Sequence, residues 1–98
     1  MYKDIISYEL SEDFTEERLL KVAQDIIENW MVKLNGFIKW EITKTADGKF
    51  MDIVHWESKE AAKAAEGEMR NIPNAAEWMS CYKPGSISAQ NVNVLFSS

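Results

Sequence analysis

The spacing of hydrophobic residues alternates along the chain between a period of two and spacings of three or four, and this alternation constrains the fold most. A period of two predicts strands at 2–10, 37–45, 50–56 and 86–96. Spacings of three and four predict helices at 16–34 and 59–70, followed by a short helix that opens at Asn74. The order β-α-β-β-α-β predicts an α+β, ferredoxin-like domain, an antiparallel sheet with both helices on one face.

Turn and capping signals support these boundaries. Segment 11–15 offers several N-cap side chains for the first helix, and Asn35-Gly36 is a typical helix end. Asp47-Gly48 predicts a hairpin turn between the second and third strands. Ser58 is expected to cap the second long helix, and Asn74 fits the capping-box spacing for the short one. The sequence therefore predicts one domain over residues 1–98.

Charge and cysteine content exclude several function classes. Eleven basic and sixteen acidic residues give a net charge of -5, without the basic stripe that a nucleic-acid or anionic-membrane partner requires. Cys81 is the only cysteine, so no internal disulfide or thiolate zinc cluster can form. The start of the chain carries no hydrophobic signal segment. A cytoplasmic protein with no metal site and no cofactor is expected.

The supply of bulky apolar residues exceeds what two helices are expected to cover. Such a surplus favours a homodimer that buries the open sheet face and the last strand, because soluble monomers rarely expose large apolar patches. Alternatively, a curled sheet and the short helix hide the surplus within one subunit. In the last strand the apolar residues also switch from odd-numbered to even-numbered positions near residues 90–91. This change of parity indicates a β-bulge or a change of packing partner. The bulky residues concerned are Tyr8, Trp40, Ile42, Met51, Ile53, Val54, Trp56, Val92, Val94 and Phe96.

Residues 47–65, DGKFMDIVHWESKEAAKAA, resemble the antibiotic-biosynthesis-monooxygenase-like superfamily. The third strand ends in Trp56, followed by Glu57-Ser58 and an Ala-rich helix, and the element order extends the resemblance over nearly the whole chain. The resemblance implies a dimeric α/β barrel with a cavity in each subunit between sheet and helices. Some members oxidise phenolic polyketides there without metal or flavin, because the substrate supplies its own reducing carbanion.

The resemblance also bears on residue roles. Oxygenase members place an Asn near the end of the third strand, which works with the Trp. Asp52 stands four positions before Trp56 in this chain. Haem-degrading members pair a Trp in the second helix with a His near its end. Here that helix carries alanines at 61, 62, 64 and 65 and no His follows, which disfavours haem degradation.

Two residues are candidates for the catalytic base. His55 is the sole histidine and is a general-base candidate near neutral pH, although a structural His in the sheet or a dimer contact is the commoner role. Asp52 lies on an apolar strand, where burial raises the pKa of a carboxyl and suits it to proton abstraction. On an edge of the sheet the same residue is merely solvated.

Five aromatic residues are candidates for a pocket wall. Trp40, Trp56 and Trp78 suit a flat aromatic ligand, and Tyr8 and Tyr82 suit a hydrogen bond to a phenolate or oxyanion. The competing interpretation is that they fill the core and the interface. Two functions remain open: a cofactor-independent oxygenase acting on a flat hydrophobic molecule of polyphenol or quinone type, and a non-catalytic dimeric binding or stress-response module. A cavity of at least about 300 Å³ lined by His55 or Asp52 would favour the enzyme.

Overall fold

Four antiparallel strands form a single sheet in the order β2-β3-β1-β4, which confirms the predicted ferredoxin-like α+β fold. The computed structural model describes residues 1–97, and Ser98 lies outside the described residues. The strands are β1 (Tyr2–Tyr8), β2 (Phe37–Lys44), β3 (Phe50–Trp56) and β4 (Ser88–Asn93). The helices are α1 (Glu16–Asn29), α2 (Lys59–Gly67) and α3 (Ala75–Ser80). None of the helices within residues 1–97 has the length and apolar character needed to cross a membrane.

Side-chain caps fix where the two long helices begin. The Thr15 hydroxyl accepts a hydrogen bond from the Arg18 backbone N–H at 3.1 Å, and Ser58 accepts one from the Ala61 N–H at the same distance. Each bond satisfies a backbone donor that has no partner within the first turn of a helix. The caps set the starts of α1 and α2 where the sequence predicts them.

Several elements end earlier than the sequence predicts. The first helix ends at Asn29, because Trp30 leaves the helical conformation and a 3₁₀ turn follows over Met31–Lys33. A second 3₁₀ turn, Met69–Asn71, replaces the last residues of the predicted second helix. The first strand stops at Tyr8, beyond which Leu10 makes only an isolated bridge to Tyr82. The apolar pattern continues past α1 and β1 because Met31 is buried and Leu34 and Leu10 pack against the core.

The predicted capping box at α3 is wrong. Asn74 adopts a left-handed conformation with φ 58° and makes no side-chain cap. Its amide instead donates to the Asp25 carboxylate of α1, and Glu77 accepts two bonds from the Arg18 guanidinium at 2.8 and 3.0 Å. The polar residues at the start of α3 therefore attach this helix to α1.

The irregularity in strand pairing lies in β2 rather than in β4. Residues 88–93 pair with β1 in an unbroken register, so a bulge does not cause the change of parity near residues 90–91. The register of β2 against β3 shifts between Phe37 and Lys39. As a result Ile38, expected on the same face as Trp40, is 41 % exposed. An extra residue reverses the side-chain alternation on one side of a bulge.

Most of the large aromatic residues lie on the helix face, the face of the sheet that packs against α1, α2 and α3. Tyr8, Val54 and Trp56 belong to the core clusters on this face, and Trp40 and Ile42 pack against them, so the helices cover half of the ten bulky residues. Trp78 of α3 packs edge-to-face on Trp40, with ring centroids 5.0 Å apart. The opposite, open face of the sheet keeps a smaller set of half-buried apolar residues, which are Ile5, Met51, Ile53 and Val92. The homodimer stays a prediction.

Candidate functional site

A cavity of about 210 Å³ lies between the helix face of the sheet and the three helices. Its wall is mostly apolar, and all four tryptophans of the chain contribute to it: Trp30, Trp40, Trp56 and Trp78. The volume lies below the roughly 300 Å³ at which drug-sized ligand pockets begin, but exceeds the roughly 150 Å³ that holds benzene in an engineered protein. The cavity therefore suits a small flat molecule.

Asp52 is a buried carboxylate in the cavity wall. It is 1 % exposed, and its Oδ1 accepts a hydrogen bond of 2.8 Å from the Tyr8 hydroxyl. Within residues 1–97, its Oδ2 has no hydrogen-bond partner, and neither does the buried indole Nε1 of Trp40. The indole still lies near enough to favour the charged carboxylate, although the pair does not reach hydrogen-bond geometry. An acceptor and a donor thus remain unused in the wall of one cavity.

Burial controls the protonation of this group. Desolvation raises the pKa of Asp52 to about 6. The Tyr8 O–H and the Trp40 N–H act in the opposite direction and lower this pKa. Burial and the neighbouring Asp52 carboxylate raise the pKa of the Tyr8 and Tyr82 hydroxyls above the ordinary tyrosine value, so both stay neutral. Asp52 therefore changes its charge near neutral pH, as a general base must.

A second polar group borders the same cavity and was not predicted. Asp4 accepts a hydrogen bond of 3.1 Å from the Trp56 indole N–H. The Asn91 amide, oriented to satisfy its neighbours, donates to Asp4 at 2.9 Å and accepts from the Tyr2 hydroxyl at 3.0 Å. Desolvation raises the pKa of Asp4. Its position was readable from the sequence, since Asp4 shares the parity of the inward-facing residues of β1.

The structure separates the two candidate bases onto opposite faces of β3. His55 lies on the open face, where its Nε2 is 2.6 Å from Glu41 Oε1. This hydrogen bond lowers the pKa of Glu41. Neighbouring residues Val54 and Trp56 line the cavity, but His55 does not. Asp52 alone of the two candidate bases lies in the cavity wall.

The aromatic candidates divide in a similar way. Trp40, Trp56, Trp78 and Tyr82 line the cavity, whereas Tyr8 reaches it only through Asp52. Trp30, which is not among the predicted pocket residues, lines the cavity from the position just after α1. Its position depends on the early end of that helix, which the hydrophobic pattern does not show.

Cys81 does not act as a nucleophile from this position. Its side chain is fully buried, and burial together with Asp52 raises the pKa of the thiol to about 12. Since the thiolate is the reactive form, the Cys81 thiol is inert at neutral pH.

Known structures share this fold over almost the whole chain. SnoaB, a cofactor-independent oxygenase from Streptomyces nogalater, superposes with a TM-score of 0.77 at 10% identity, covering 98% of this chain and 94% of that chain. A putative antibiotic biosynthesis monooxygenase from Nitrosomonas europaea gives 0.72 at 17% identity, covering 98% and 100%. The ActVA-Orf6 monooxygenase of Streptomyces coelicolor, in complex with nanaomycin D, gives 0.64 at 18% identity, covering 99% and 92%.

The chain therefore has the ferredoxin-like fold of the antibiotic biosynthesis monooxygenases, as the segment around Trp56 suggested. No family profile and no curated protein sequence matches the chain. At 10–18% identity the likeness establishes the fold, which does not by itself define an activity.

Proposed function

We propose that the protein is a cofactor-independent monooxygenase-like enzyme that acts on a small, flat, hydrophobic molecule of polyphenol or quinone type. One observation carries the proposal: a buried carboxylate with an unpaired oxygen, Asp52, in the wall of a cavity lined by four tryptophans. The fold shared with a named cofactor-independent oxygenase supports it. Tryptophan rings offer a flat substrate offset-stacked or edge-to-face contacts.

The reaction begins with a proton transfer from a substrate hydroxyl to Asp52 Oδ2. The resulting phenolate is electron-rich at a ring carbon, which reduces dioxygen and forms a new C–O bond. Loss of water from the peroxide then breaks the O–O bond and leaves a quinone. One phenol and one dioxygen yield one quinone and one water, so the substrate supplies every electron that oxygen receives.

Oxygen uptake with a panel of polyphenols tests the proposal. We expect Asp52→Asn to lower the rate by about 100-fold or more, because general-base catalysis contributes on that scale. His55→Ala is the matched control, since His55 lies on the other face of the same strand, and its rate should equal that of the wild type. Both variants are first checked for native circular dichroism. Absence of uptake with every substrate, or a loss confined to His55→Ala, would contradict the assignment.

A non-catalytic small-molecule-binding or stress-response module is the second candidate function. The cavity volume of about 210 Å³ lies below the roughly 300 Å³ at which pockets for drug-sized ligands begin, so the cavity suits a small molecule whether or not it is turned over. Tight binding of an aromatic ligand without oxygen uptake would identify this function.

A homodimer formed through the open face and the end of the last strand belongs to the same proposal. Beyond β4, Leu95 is 96 % exposed and Phe96 is 85 % exposed, and a partner subunit would remove both from water. The half-buried residues Ile5, Ile53 and Val92 would extend the contact across the sheet. Sedimentation at micromolar concentration should give the dimer mass; a monomer mass would contradict it.

A cytoplasmic location, testable by cell fractionation, is proposed from the single, unbridged cysteine.

A further inference from the structure

The unused donor and acceptor in the cavity wall indicate which ligand group binds there. The Trp40 indole N–H and the Asp52 Oδ2 are both buried and have no partner among the residues that the structure describes, although buried polar atoms nearly always have one. A hydroxyl group donates one hydrogen bond and accepts others, so a single hydroxyl can satisfy both atoms. A carbonyl or ether oxygen would satisfy only the indole.

We propose that the cavity binds a neutral aromatic molecule of one or two rings through a hydroxyl that donates to Asp52 Oδ2 and accepts from Trp40 Nε1–H. This inference deepens the proposed function, on which it rests for the identity of the site.

Tyr8 is the positioning residue of this arrangement. Its hydroxyl holds Asp52 Oδ1 at 2.8 Å and is itself fully buried, so the carboxylate keeps Oδ2 free for the ligand. Tyr8 stacks on Phe50 and packs edge-to-face on Tyr82, with centroid distances of 5.8 and 4.7 Å. These contacts fix the ring and hence the direction of the carboxylate.

The charge of the cavity wall selects against anions. Three carboxyl groups border the cavity, those of Asp4, Asp52 and Glu66, and no Lys, Arg or His from the described residues does so. An anionic ligand would lose its hydration without gaining a countercharge. A phenol is neutral on entry, so the same wall accepts it.

The volume of the cavity limits ligand size. A cavity of roughly 150 Å³ holds benzene, and the cavity here measures about 210 Å³. That space accommodates a second fused ring, which makes naphthalene derivatives suitable probes.

Calorimetric titration with 2-naphthol, naphthalene and 2-naphthoate, without oxygen and at pH 7.5, tests the inference. We expect 2-naphthol to bind at least about 10-fold more tightly than naphthalene, because a hydrogen bond to a charged group is stronger than one between neutral groups. We expect 2-naphthoate to bind at least as weakly as naphthalene. Equal affinity for 2-naphthol and naphthalene, or preferred binding of 2-naphthoate, would overturn the inference.

Two tryptophan variants test whether the preference for 2-naphthol over naphthalene depends on the Trp40 indole N–H. Trp40→Phe removes the unpaired donor and should lower the ratio of the two affinities by at least about 2-fold, whereas the hydrogen bond from the hydroxyl to Asp52 remains. Trp56→Phe removes an indole N–H that is already bonded to Asp4, so the ratio should remain at the wild-type value even where both affinities fall. A ratio of affinities that is the same in Trp40→Phe as in the wild type would refute the inference.

Binding and turnover separate this inference from the proposed function. A Trp40-dependent preference for 2-naphthol without oxygen uptake from any phenol supports the hydroxyl site and rejects the oxygenase. Oxygen uptake with a ratio that is insensitive to Trp40 supports the oxygenase and rejects the hydroxyl site.

Discussion

Asp52 and His55 stand three residues apart on one strand, and both are almost completely buried, at 1 % and 6 % exposure. Their surroundings differ sharply. Asp52 faces the helix side, with a tyrosine hydroxyl on one oxygen and no partner on the other. His55 faces the open side, next to the carboxylate of Glu41. Equal burial therefore accompanies two different kinds of site.

The difference shows that the face of the strand, and not the depth of burial, determines what a titratable residue can do here. On the helix face the carboxylate borders a mostly apolar cavity and has an unused acceptor. On the open face the histidine is already paired with a charged neighbour. Four experiments test this contrast between the faces.

The largest effect is expected on the open face from Ile53→Asp. In the proposed dimer the substitution places a carboxylate from each subunit in an apolar contact, where burial of an unpaired charge costs several kcal/mol. We expect the dimer dissociation constant, measured by sedimentation, to rise by at least about 100-fold. Lys63→Asp on the exposed surface of α2 is the control and should leave the constant unchanged. An unaltered constant for Ile53→Asp would assign the interface elsewhere.

On the helix face, the stability difference between wild type and Asp52→Asn should depend on pH. Because burial raises the pKa of Asp52 to about 6, the folded protein holds this proton more tightly than the unfolded chain does. The wild type therefore loses stability relative to the variant as pH rises from about 4 to 7.5. Linkage sets the change at roughly 2–3 kcal/mol, measurable by urea unfolding at several pH values.

Asp47→Asn is the matched control for that measurement. Asp47 lies in the hairpin turn, where a hydrogen bond from Thr45 lowers the pKa of its carboxyl. Its contribution to stability has the opposite sign: it is present at neutral pH and is lost as pH falls. A difference between wild type and Asp52→Asn that stays constant with pH would show that Asp52 is not desolvated.

A smaller effect is expected from Tyr8→Phe, which removes the hydrogen bond to Asp52 and keeps the ring. This bond lowers the pKa of Asp52, so its loss should raise that pKa further above 6. The basic form is then less populated at pH 7, and the rate there should fall by roughly 2-fold if the pKa rises by one unit and by about 10-fold if it rises by two. The pH–rate profile should move to higher pH, whereas a purely structural role for Tyr8 would lower the rate without moving the profile.

The smallest effect is expected on the open face from His55→Ala. The hydrogen bond from His55 is the main cause of the lowered pKa of Glu41, so the pKa of Glu41 should rise towards its ordinary value. Carboxyl NMR titration measures the change, and Asp52 should titrate as in the wild type. A shifted titration of Asp52 would show that the two faces are coupled through the strand.

Elements with strong local signals were predictable from the sequence. Strand β3 has the predicted bounds, because the alternation and the hairpin turn before it agree. The turn itself forms with Gly48 at φ 85°, a conformation that glycine adopts without strain. Ser58 caps α2 as its spacing predicts. These features depend on residues close together in the sequence.

Features that depend on distant residues were not predictable. Asn74 has the spacing of a cap but bonds instead to Asp25 of α1, which no local pattern reveals. The bulge near Phe37 alters the face of Ile38 through strand pairing. At the site, Asp52 was a candidate by residue type and strand position. The bond from Tyr8 joins residues 44 positions apart, so its discovery required the register of β1 against β3.

The placement of all four tryptophans in one cavity wall has a practical consequence. Every indole that contributes to the intrinsic fluorescence of the protein borders the space that a ligand would enter. The molecule consequently carries its own optical reporter, with no background from tryptophans elsewhere. A library of compounds can be screened by emission alone, before any substrate is known and without attaching a label.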